Sequence, residues 1–324
     1  MDKVKIKIWG ARGSLPAPVY PDVVEAGARS LFDEFFARGY SRSEDVARFF
    51  SEMPRHRLGG YGGNTPCAEV RYQDTRLMVD AGSGLRALSD EYMAGPCGQG
   101  QGEAHLLFTH FHWDHLIGLP FFTPLFIPGN QIHFYAVQPE LPEVIEAVFK
   151  KPFFPVPLKQ VGATLHCHRL EPRKAARFGG IQVTPYQLDH PDPCWGYKFE
   201  AGGKVYSHCV DTECTRLTRQ ALGPDLPLYQ GVDLMAFDAQ YTLIETIAKM
   251  NWGHAAASIG LDLAMREGIK RVLFMHHDPA SSAEKIAAAE AQARRYYESQ
   301  IRASTGQLHK VEWSFAYDGQ EIEL

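Results

Sequence analysis

The sequence lacks the cysteine patterns of a disulfide framework and the long apolar runs of a membrane protein. Its 324 residues include six cysteines, with no Cys-x-x-Cys pair among them, which is typical of reduced thiols in a reducing compartment. The first residues, MDKVKIKIWGARGS, alternate polar and apolar side chains and lack the apolar core of a signal peptide. No apolar run reaches the length of a transmembrane helix. We therefore expect a cytoplasmic protein without a membrane partner.

Positive charge is also scarce. The chain has 33 Lys+Arg against 38 Asp+Glu, a formal net charge of -5. A protein that binds a long nucleic-acid backbone is expected to carry the opposite sign of charge. Long nucleic acid is therefore not an expected partner, whereas a small anion held by a metal is compatible with this charge.

The composition is that of an ordinary soluble globular chain. Hydrophobic residues make up 45% of the sequence and charged residues 22%. This length can bury the core of one large α/β domain or of two smaller ones, and composition does not decide between them.

Four candidate metal ligands lie within six positions of residues 105–119, HLLFTHFHWDHLIGL. His110, His112, Asp114 and His115 follow a short apolar run that predicts the end of a buried strand. Imidazole and carboxylate groups bind zinc, and also manganese or iron. His110 and His112 are two apart on an extended segment and can reach one ion. Asp114 and His115 follow after a turn and can reach a second ion close by.

An apolar strand followed by His or Asp recurs along the chain. Site residues at strand ends are typical of α/β folds, because the ends of neighbouring strands meet at one edge of a sheet. We expect the following residues to gather at such an edge: Asp80, His110, His112, His190, Asp211, Asp238 and His276. Asp80 is a candidate for orienting a ligand histidine without binding the metal itself.

Two loops offer candidate substrate-binding residues. A strand over residues 3–9 ends in the turn GARGSLP, where Arg12 is either an anion contact or an ordinary salt-bridging arginine. Asn64 belongs to the glycine-dense stretch of residues 59–66, whose backbone can approach a ligand closely. A flexible hairpin tip would have a similar sequence.

Helical spacing of apolar residues covers residues 21–53 and is interrupted near Gly39, with Ser43 as the candidate cap of a second helix. This pattern predicts a helical pair inserted between two strands. Its many aromatic side chains predict a lid over the site or a subunit interface, unless they simply pack on the domain. Near the end of the chain we expect a helix over residues 254–267 and a closing hairpin from residues 311–315 and 321–324.

The segment His110-Phe-His112-Trp-Asp114-His115 resembles the H-x-H-x-D-H motif of the metallo-β-lactamase fold superfamily. Three later motifs follow in the superfamily's order, namely LDHP with His190, VDTE with Asp211 and LFMHHDP with His276. The resemblance implies an α/β fold, a four-layer αββα sandwich in a single domain of residues 1–324. It leaves the helical insertion of residues 17–58 unexplained.

The same resemblance implies two divalent metal ions, with Zn²⁺ favoured over Mn²⁺ or Fe²⁺. One ion would be held by His110, His112 and His190. The other would be held by Asp114, His115 and His276, where His276 fits the strand-end pattern better than His277 does. Asp211 would bridge the two ions.

The segment Asn251-Trp-Gly-His254 is similar to the histidine motif of the superfamily's phosphodiesterase branch, which includes ribonuclease Z and small cyclic-nucleotide phosphodiesterases. The tract FDAQY of residues 237–241 resembles the same branch, with Asp238 in a supporting position. A histidine at the start of a helix can contact phosphoryl oxygens or protonate a leaving alkoxide. The alternative is an ordinary helix-start histidine.

These motifs predict hydrolysis of a small phosphodiester, most simply a 3′,5′-cyclic nucleotide, with Asp114, Asp211 and His254 as catalytic residues. One alternative is tRNA 3′ end processing of the ribonuclease Z kind, which would need a basic, RNA-binding surface. Another is a lactonase or thioesterase, which would not need His254. A third is a metal-bound scaffold or nucleotide sensor without turnover. We also expect a homodimer, on the basis of the aromatic inserted helices.

Overall fold

Two seven-stranded β-sheets form the centre of the structure. The structure is a computed structural model that describes residues 2–324, with the side chains of residues 55 and 56 left out. The strands in chain order are β1 (Lys5–Gly10), β2 (Cys67–Tyr72), β3 (Thr75–Val79), β4 (Glu103–Leu107), β5 (Gln131–Ala136), β6 (Thr164–Arg169), β7 (Ala176–Phe178), β8 (Ile181–Gln187), β9 (Trp195–Ala201), β10 (Lys204–Cys209), β11 (Leu234–Asp238), β12 (Arg271–Met275), β13 (Glu312–Phe315) and β14 (Glu321–Glu323). The first sheet has the order β14-β1-β2-β3-β4-β5-β6, and the second has the order β13-β12-β11-β10-β9-β8-β7.

Nine α-helices, numbered in chain order, lie in the connections between the strands of the described residues. They are α1 (Pro21–Ala37), α2 (Ser43–Glu52), α3 (Arg55–Gly59), α4 (Leu85–Met93), α5 (Leu141–Val148), α6 (Arg219–Leu222), α7 (Leu243–Ala248), α8 (Ala257–Glu267) and α9 (Ala283–Ala303). Apolar residues of α4 and α5 pack on the first sheet, and those of α8 and α9 pack on the second. The predicted αββα layering is therefore confirmed. Within the described part of the chain, no helix is both long enough and apolar enough to span a bilayer.

The alternation of side chains explains the layering. In β4, Leu107 faces the second sheet, whereas Leu106 faces the helices. In β3, Val79 faces the second sheet and Met78 faces the helices. Both faces are buried toward the carboxyl ends of these strands, so residues 77–79 and 106–108 are continuously apolar.

The carboxyl ends of the parallel strands define one edge of the sandwich. Strands β3, β4 and β5 run parallel to one another in the first sheet, and β10, β11 and β12 do so in the second. Asp80 and His276 directly follow β3 and β12, and Asp211 follows β10 after one further residue; their φ angles are 62°, 65° and 61°. A left-handed conformation is strained for residues other than glycine, and such strain often accompanies a functional site. The left-handed conformation turns the backbone sharply at the end of each strand.

The inserted helices α1 and α2 pack together through Phe35, Phe49 and Met53. Helix α2 begins at Ser43, so the residue in the capping position is Arg42 and not Ser43 as predicted. The Asp45 carboxylate accepts hydrogen bonds from the backbone N–H groups of residues 41 and 42 at 3.1 and 3.0 Å. The first turn is thus capped from inside the helix.

Two predicted elements differ from the structure. Helix α8 begins at Ala257, three residues after His254, because residues 254–256 form an extended segment that ends at the cap Ala256. The last two strands are not a hairpin. Strand β13 pairs in parallel with β12, whereas β14 pairs antiparallel with β1, so residues 316–320 cross from one sheet to the other.

Candidate metal centre

Three histidines from two loops form the first half of a cluster at the carboxyl edge. The ring of His110 lies 4.5 Å from that of His112 and 4.7 Å from that of His190, measured between centroids. The rings of His112 and His190 are 4.9 Å apart. Each of the three can place one nitrogen within 4.8 Å of the others' nitrogens. The structure therefore brings together the three residues predicted to hold one ion.

The second half of the cluster joins the first through Asp211. Asp211 Oδ2 lies 2.9 Å from His115 Nε2, and Asp211 Oδ1 lies 3.2 Å from His276 Nε2. Asp114 Oδ2 is 3.2 Å from the same His276 nitrogen and 3.5 Å from His115 Nε2. His110 and His115 are neighbours, with ring centroids 4.3 Å apart. Asp211 thus occupies the position between the two halves that a bridging ligand requires.

Several atoms of this cluster are buried without a hydrogen-bond partner among the described residues: His110 Nε2, His115 Nε2, His190 Nε2 and Asp211 Oδ2. Leaving buried polar atoms unsatisfied costs about 1–3 kcal/mol each. His115 Nε2 and Asp211 Oδ2 are close but not aligned for a hydrogen bond, which is the arrangement of two ligands that face a shared ion. The donor set of imidazoles and carboxylates therefore fits two divalent cations.

The other ring nitrogens are held by neighbouring groups. His110 Nδ1 is 3.1 Å from Thr109 Oγ1, and His190 Nδ1 is 3.0 Å from the backbone oxygen of Asp192. His115 Nδ1 is 2.9 Å from Asp80 Oδ2. Partners of this kind fix the orientation of metal-binding imidazoles. Asp80 therefore lies beside His115, although the two atoms are not aligned for a hydrogen bond, and its role of orienting that histidine stays a prediction.

His112 has a different contact. Its Nε2 lies 2.8 Å from the carboxylate of Asp192, whose side chain is exposed. Asp192 was not predicted as a site residue, although it stands only two residues after His190.

Burial and carboxylates set the protonation of the cluster. Burial lowers the pKa of His110 and of His190. Burial also acts to lower the pKa of His276, but Asp211 and Asp114 raise it to about 9. The carboxylates therefore create a field that attracts positive charge, which two cations would satisfy.

His254 and Asp238 form a pair beside the cluster. His254 Nδ1 lies 2.9 Å from Asp238 Oδ2 and 3.6 Å from Asp211 Oδ1. The His254 ring stacks on that of His276, with centroids 4.7 Å apart. Because Asp238 engages Nδ1, Nε2 is the ring nitrogen of His254 that is left for a ligand.

His276, and not His277, lies in the cluster. His277 Nε2 is 2.9 Å from the backbone oxygen of Ala316, and burial lowers the pKa of His277 to about 3. Its ring stacks on that of Phe315 at 5.5 Å. His277 thus packs against β13 and the residue that follows it, away from the cluster.

Arg12 and Asn64 lie outside the cluster. The Arg12 guanidinium is buried and donates to the backbone oxygens of Gly62, Asp278 and Ser281 at 2.8–2.9 Å. These bonds use three of its five N–H donors and tie three loops together, so Arg12 has a structural role and its anion contact stays a prediction. Asn64 Oδ1 accepts from Ser83 Oγ at 3.1 Å and thus supports its own loop.

Two glycines and one glutamine shape the site without having been predicted. A methyl group at position 13 would lie 2.1 Å from His276 Nδ1, and one at position 253 would lie 2.2 Å from His190 Cδ2. Gln240 Oε1 is 2.7 Å from His276 Nδ1. Gln240 lies in the tract FDAQY, in which only Asp238 was predicted as a site residue.

Comparison with known proteins finds a curated relative over part of the chain. The chain is 26% identical over 147 residues to a ribonuclease Z of Thermococcus kodakarensis, a match covering 42% of this chain and 41% of that protein. The chain thus spans about two-fifths of the length of this relative.

Two solved structures share the fold. Yeast PDE1 superposes with a TM-score of 0.63 at 14% identity, covering 100% of both chains. The metallo-beta-lactamase fold protein YhfI from Bacillus subtilis gives 0.62 at 13% identity, also covering 100% of both chains.

A family match covers most of the site. Residues 75–277, more than half of the chain, match the family described as the beta-lactamase superfamily domain. This range includes all seven clustered ligands: the four of the segment HFHWDH, then His190, Asp211 and His276. The chain belongs to the beta-lactamase superfamily.

Proposed function

We propose that the protein hydrolyses phosphodiesters, with a small cyclic substrate such as a 3′,5′-cyclic nucleotide preferred. The observation that carries the proposal is the His254–Asp238 pair, which lies against the metal centre and is not needed to complete it. A bare two-metal site suits several hydrolases, whereas an additional histidine beside it suits the developing charge of a phosphoryl group.

The residues around the site have distinct tasks in this proposal. Two bound divalent ions, Zn²⁺ or in its place Mn²⁺ or Fe²⁺, would supply the Lewis acidity that activates water and neutralises phosphoryl charge. Asp114 and Asp211 would hold the two halves of the cluster at a fixed separation.

His254 would move the proton. Its Nδ1 lies 2.9 Å from Asp238 Oδ2, which orients the ring and leaves Nε2 for the substrate. Nε2 can then donate to a phosphoryl oxygen or give its proton to the leaving alkoxide. Asp238 also accepts from the backbone N–H of Ala255 at 2.9 Å, which fixes the carboxylate in place.

The test compares His254→Ala with wild type on bis(p-nitrophenyl) phosphate and on 3′,5′-cyclic nucleotides. We expect kcat to fall about 10²–10⁴-fold, because a proton donor is lost, with the metal content unchanged. His309→Ala, which changes an exposed histidine distant in sequence from the motif, is the matched control. Full activity of His254→Ala, or better turnover of a lactone or thioester by wild type, would contradict the proposal. Metal-loaded wild type without any turnover would favour a scaffold or sensor.

A ribonuclease Z-like activity on tRNA precursors is the second candidate, favoured by the Thermococcus kodakarensis match. The net charge of -5 argues against it. Binding of a tRNA precursor should be measured between 50 and 200 mM salt. A loss of affinity of about 10³-fold or more would support the polymeric substrate.

A further inference from the structure

Trp252 is exposed on the surface directly beside the metal centre. The next residue, Gly253, lies against His190, because a methyl group at position 253 would be 2.2 Å from His190 Cδ2. His254 of the His254–Asp238 pair follows. Consecutive Cα atoms are about 3.8 Å apart, so the backbone of Trp252 is close to the metal centre. Trp252 is nevertheless 63% exposed.

Hydrogen bonds fix the loop that carries this indole. The Gly253 N–H donates to Glu213 Oε1 at 3.0 Å, and the Trp252 N–H donates to the backbone oxygen of Lys249 at 3.3 Å. Gly253 has a φ of 88°, which glycine adopts without the steric cost that other residues meet. The backbone before and after Trp252 is therefore held in one conformation.

A continuous row of side chains joins Trp252 to His254. The ammonium group of Lys249 lies over two rings, 5.7 Å from the centroid of Trp252 and 4.1 Å from that of Tyr241. The Tyr241 ring in turn meets the His254 ring edge-on, with centroids 5.5 Å apart. A cation over an aromatic face contributes about 0.5–1 kcal/mol at an exposed site. Lys249 therefore helps to hold the indole in the same row as His254.

One face of the indole is left for a ligand. Lys249 lies over one face, and the exposure of Trp252 indicates that the opposite face is open to solvent. Single exposed apolar side chains are common on protein surfaces. Trp252 differs from these because a cation and a fixed loop hold its ring next to His254, the proposed phosphoryl contact. A planar group can stack on such a ring, and stacking of one base contributes about 1–3 kcal/mol.

We propose that Trp252 binds the nucleobase of the substrate by stacking, on the indole face opposite Lys249, and so selects phosphodiesters that carry a planar base. This inference rests on the proposed phosphodiesterase function and names the part of the substrate that the metal centre does not recognise. Stacking needs only the flat face of a base. We therefore expect purine and pyrimidine nucleotides both to be bound, and the larger purine more tightly.

The experiment compares two substrates of the metal-loaded, full-length protein, namely 3′,5′-cyclic adenosine monophosphate and the same cyclic ribose phosphate without a base. Trp252→Ala should raise KM for the nucleotide about 5–150-fold, the change that corresponds to the stacking of one base. The ratio of the two KM values should rise by the same factor. Trp252→Phe keeps a ring and should recover most of the loss.

Met250→Ala is the matched control. Met250 is 69% exposed, stands two residues before Trp252 in the same segment and carries no ring. Its replacement should leave KM for both substrates unchanged.

A binding measurement makes the same comparison without turnover. Calorimetric titration of the metal-loaded protein with adenosine 5′-monophosphate should show a Kd raised about 5–150-fold in Trp252→Ala. Ribose 5-phosphate lacks the base, so its Kd should rise far less.

The outcomes separate this inference from the proposed function. An unchanged KM for the nucleotide in Trp252→Ala, or an equal rise for the nucleotide and the base-free substrate, would overturn the stacking role and leave the phosphodiesterase function standing. An equal rise in Met250→Ala would do the same, because it would indicate a general disturbance of the loop. Wild type that hydrolyses neither substrate nor bis(p-nitrophenyl) phosphate would overturn both.

Discussion

Gly253 lies against the ring of His190, so the position of a metal ligand depends on a residue that offers no ligand atom. We predict that Gly253→Ala displaces His190, because the added methyl group would lie 2.2 Å from His190 Cδ2. The variant should retain about one metal ion less than wild type and lose most phosphodiesterase activity. Metal analysis and turnover of bis(p-nitrophenyl) phosphate measure both effects.

Gly231→Ala is the control for this prediction. Gly253 and Gly231 both have positive φ, 88° and 66°, so alanine costs about 1 kcal/mol of backbone strain at either position. A methyl group at position 231 meets nothing within 4 Å. Equal metal content in the two variants would show that the contact with His190 has no role.

His208 should make the folded protein sensitive to acid. It is buried on β10, with Nδ1 at 2.8 Å from the hydroxyl of Tyr206, and burial lowers its pKa from 6.5 to about 4. Between these values the unfolded chain takes up a proton that the folded protein does not bind. The stability contribution of neutral His208 is therefore complete above pH 6.5 and is lost as the pH falls toward 4.

We predict that His208→Gln removes this sensitivity. The free energy of unfolding of wild type should fall by about 2 kcal/mol more than that of the variant between pH 7 and pH 5, at about 1.4 kcal/mol per pH unit below 6.5. Urea unfolding of chelator-treated protein at the two pH values measures the difference. Parallel losses in both proteins would rule out His208 as the source.

At the scale of single residues, the ligand positions were readable from the sequence because chemistry and spacing coincide there. His110, His112 and His115 stand in one motif, and their clustering in the structure follows from the strand end before them. The structural role of Arg12 was not readable, because its partners are backbone oxygens of distant loops. Contacts between glycines and ligand rings leave no pattern in a single sequence.

Helix α8 packs so closely on the second sheet that Gly260 has no room for a side chain. A methyl group there would lie 2.6 Å from Phe237 and 2.8 Å from Phe274. We predict that Gly260→Ala destabilises the protein. Overpacking costs about 1–3 kcal/mol, whereas the higher helix propensity of alanine contributes only about 1 kcal/mol. Urea denaturation midpoints measure the net change.

Gly27 in α1 provides the matched control. A methyl group there meets nothing within 4 Å, so Gly27→Ala should stabilise the protein by up to about 1 kcal/mol. If both variants shift the midpoint in the same direction, the close packing of α8 on the second sheet does not determine the stability change at position 260.

At the scale of elements, the strands of the two sheets and the inserted helices were predictable from apolar periodicity. The pairing partner of each strand in its sheet was less predictable. Residues 311–324 have the spacing of a hairpin, yet β13 and β14 join different sheets. Local sequence cannot distinguish these arrangements, because the partners β12 and β1 lie far away in the chain. The start of α8 was misplaced because residues 254–256 carry no strong cap signal.

At the scale of the whole molecule, the helical insertion exposes a large apolar surface. Its two helices bury Phe35, Phe49 and Met53 between them, while Phe32 and Phe36 are each 63% exposed. Exposed apolar patches of this kind are typical of interfaces. We predict a homodimer in which these helices meet, or a lid that they form over the metal centre.

Light scattering after size-exclusion chromatography of Phe32→Glu/Phe36→Glu tests the first arrangement. We expect wild type to be a dimer and the variant a monomer, because two charges would be buried at the interface. Phe153→Glu, at a position 74% exposed outside these helices, is the control and should remain dimeric. A wild-type monomer whose turnover falls in the variant would favour the lid.

The left-handed turns at Asp80, Asp211 and His276 destabilise the fold and are useful only while the protein binds metal. Each turn holds about 1–2 kcal/mol of strain that a glycine would relieve. Once selection for metal binding stops, replacement by glycine at these three positions becomes favourable for folding. Glycine at these positions would therefore stabilise a copy of the protein that no longer binds metal.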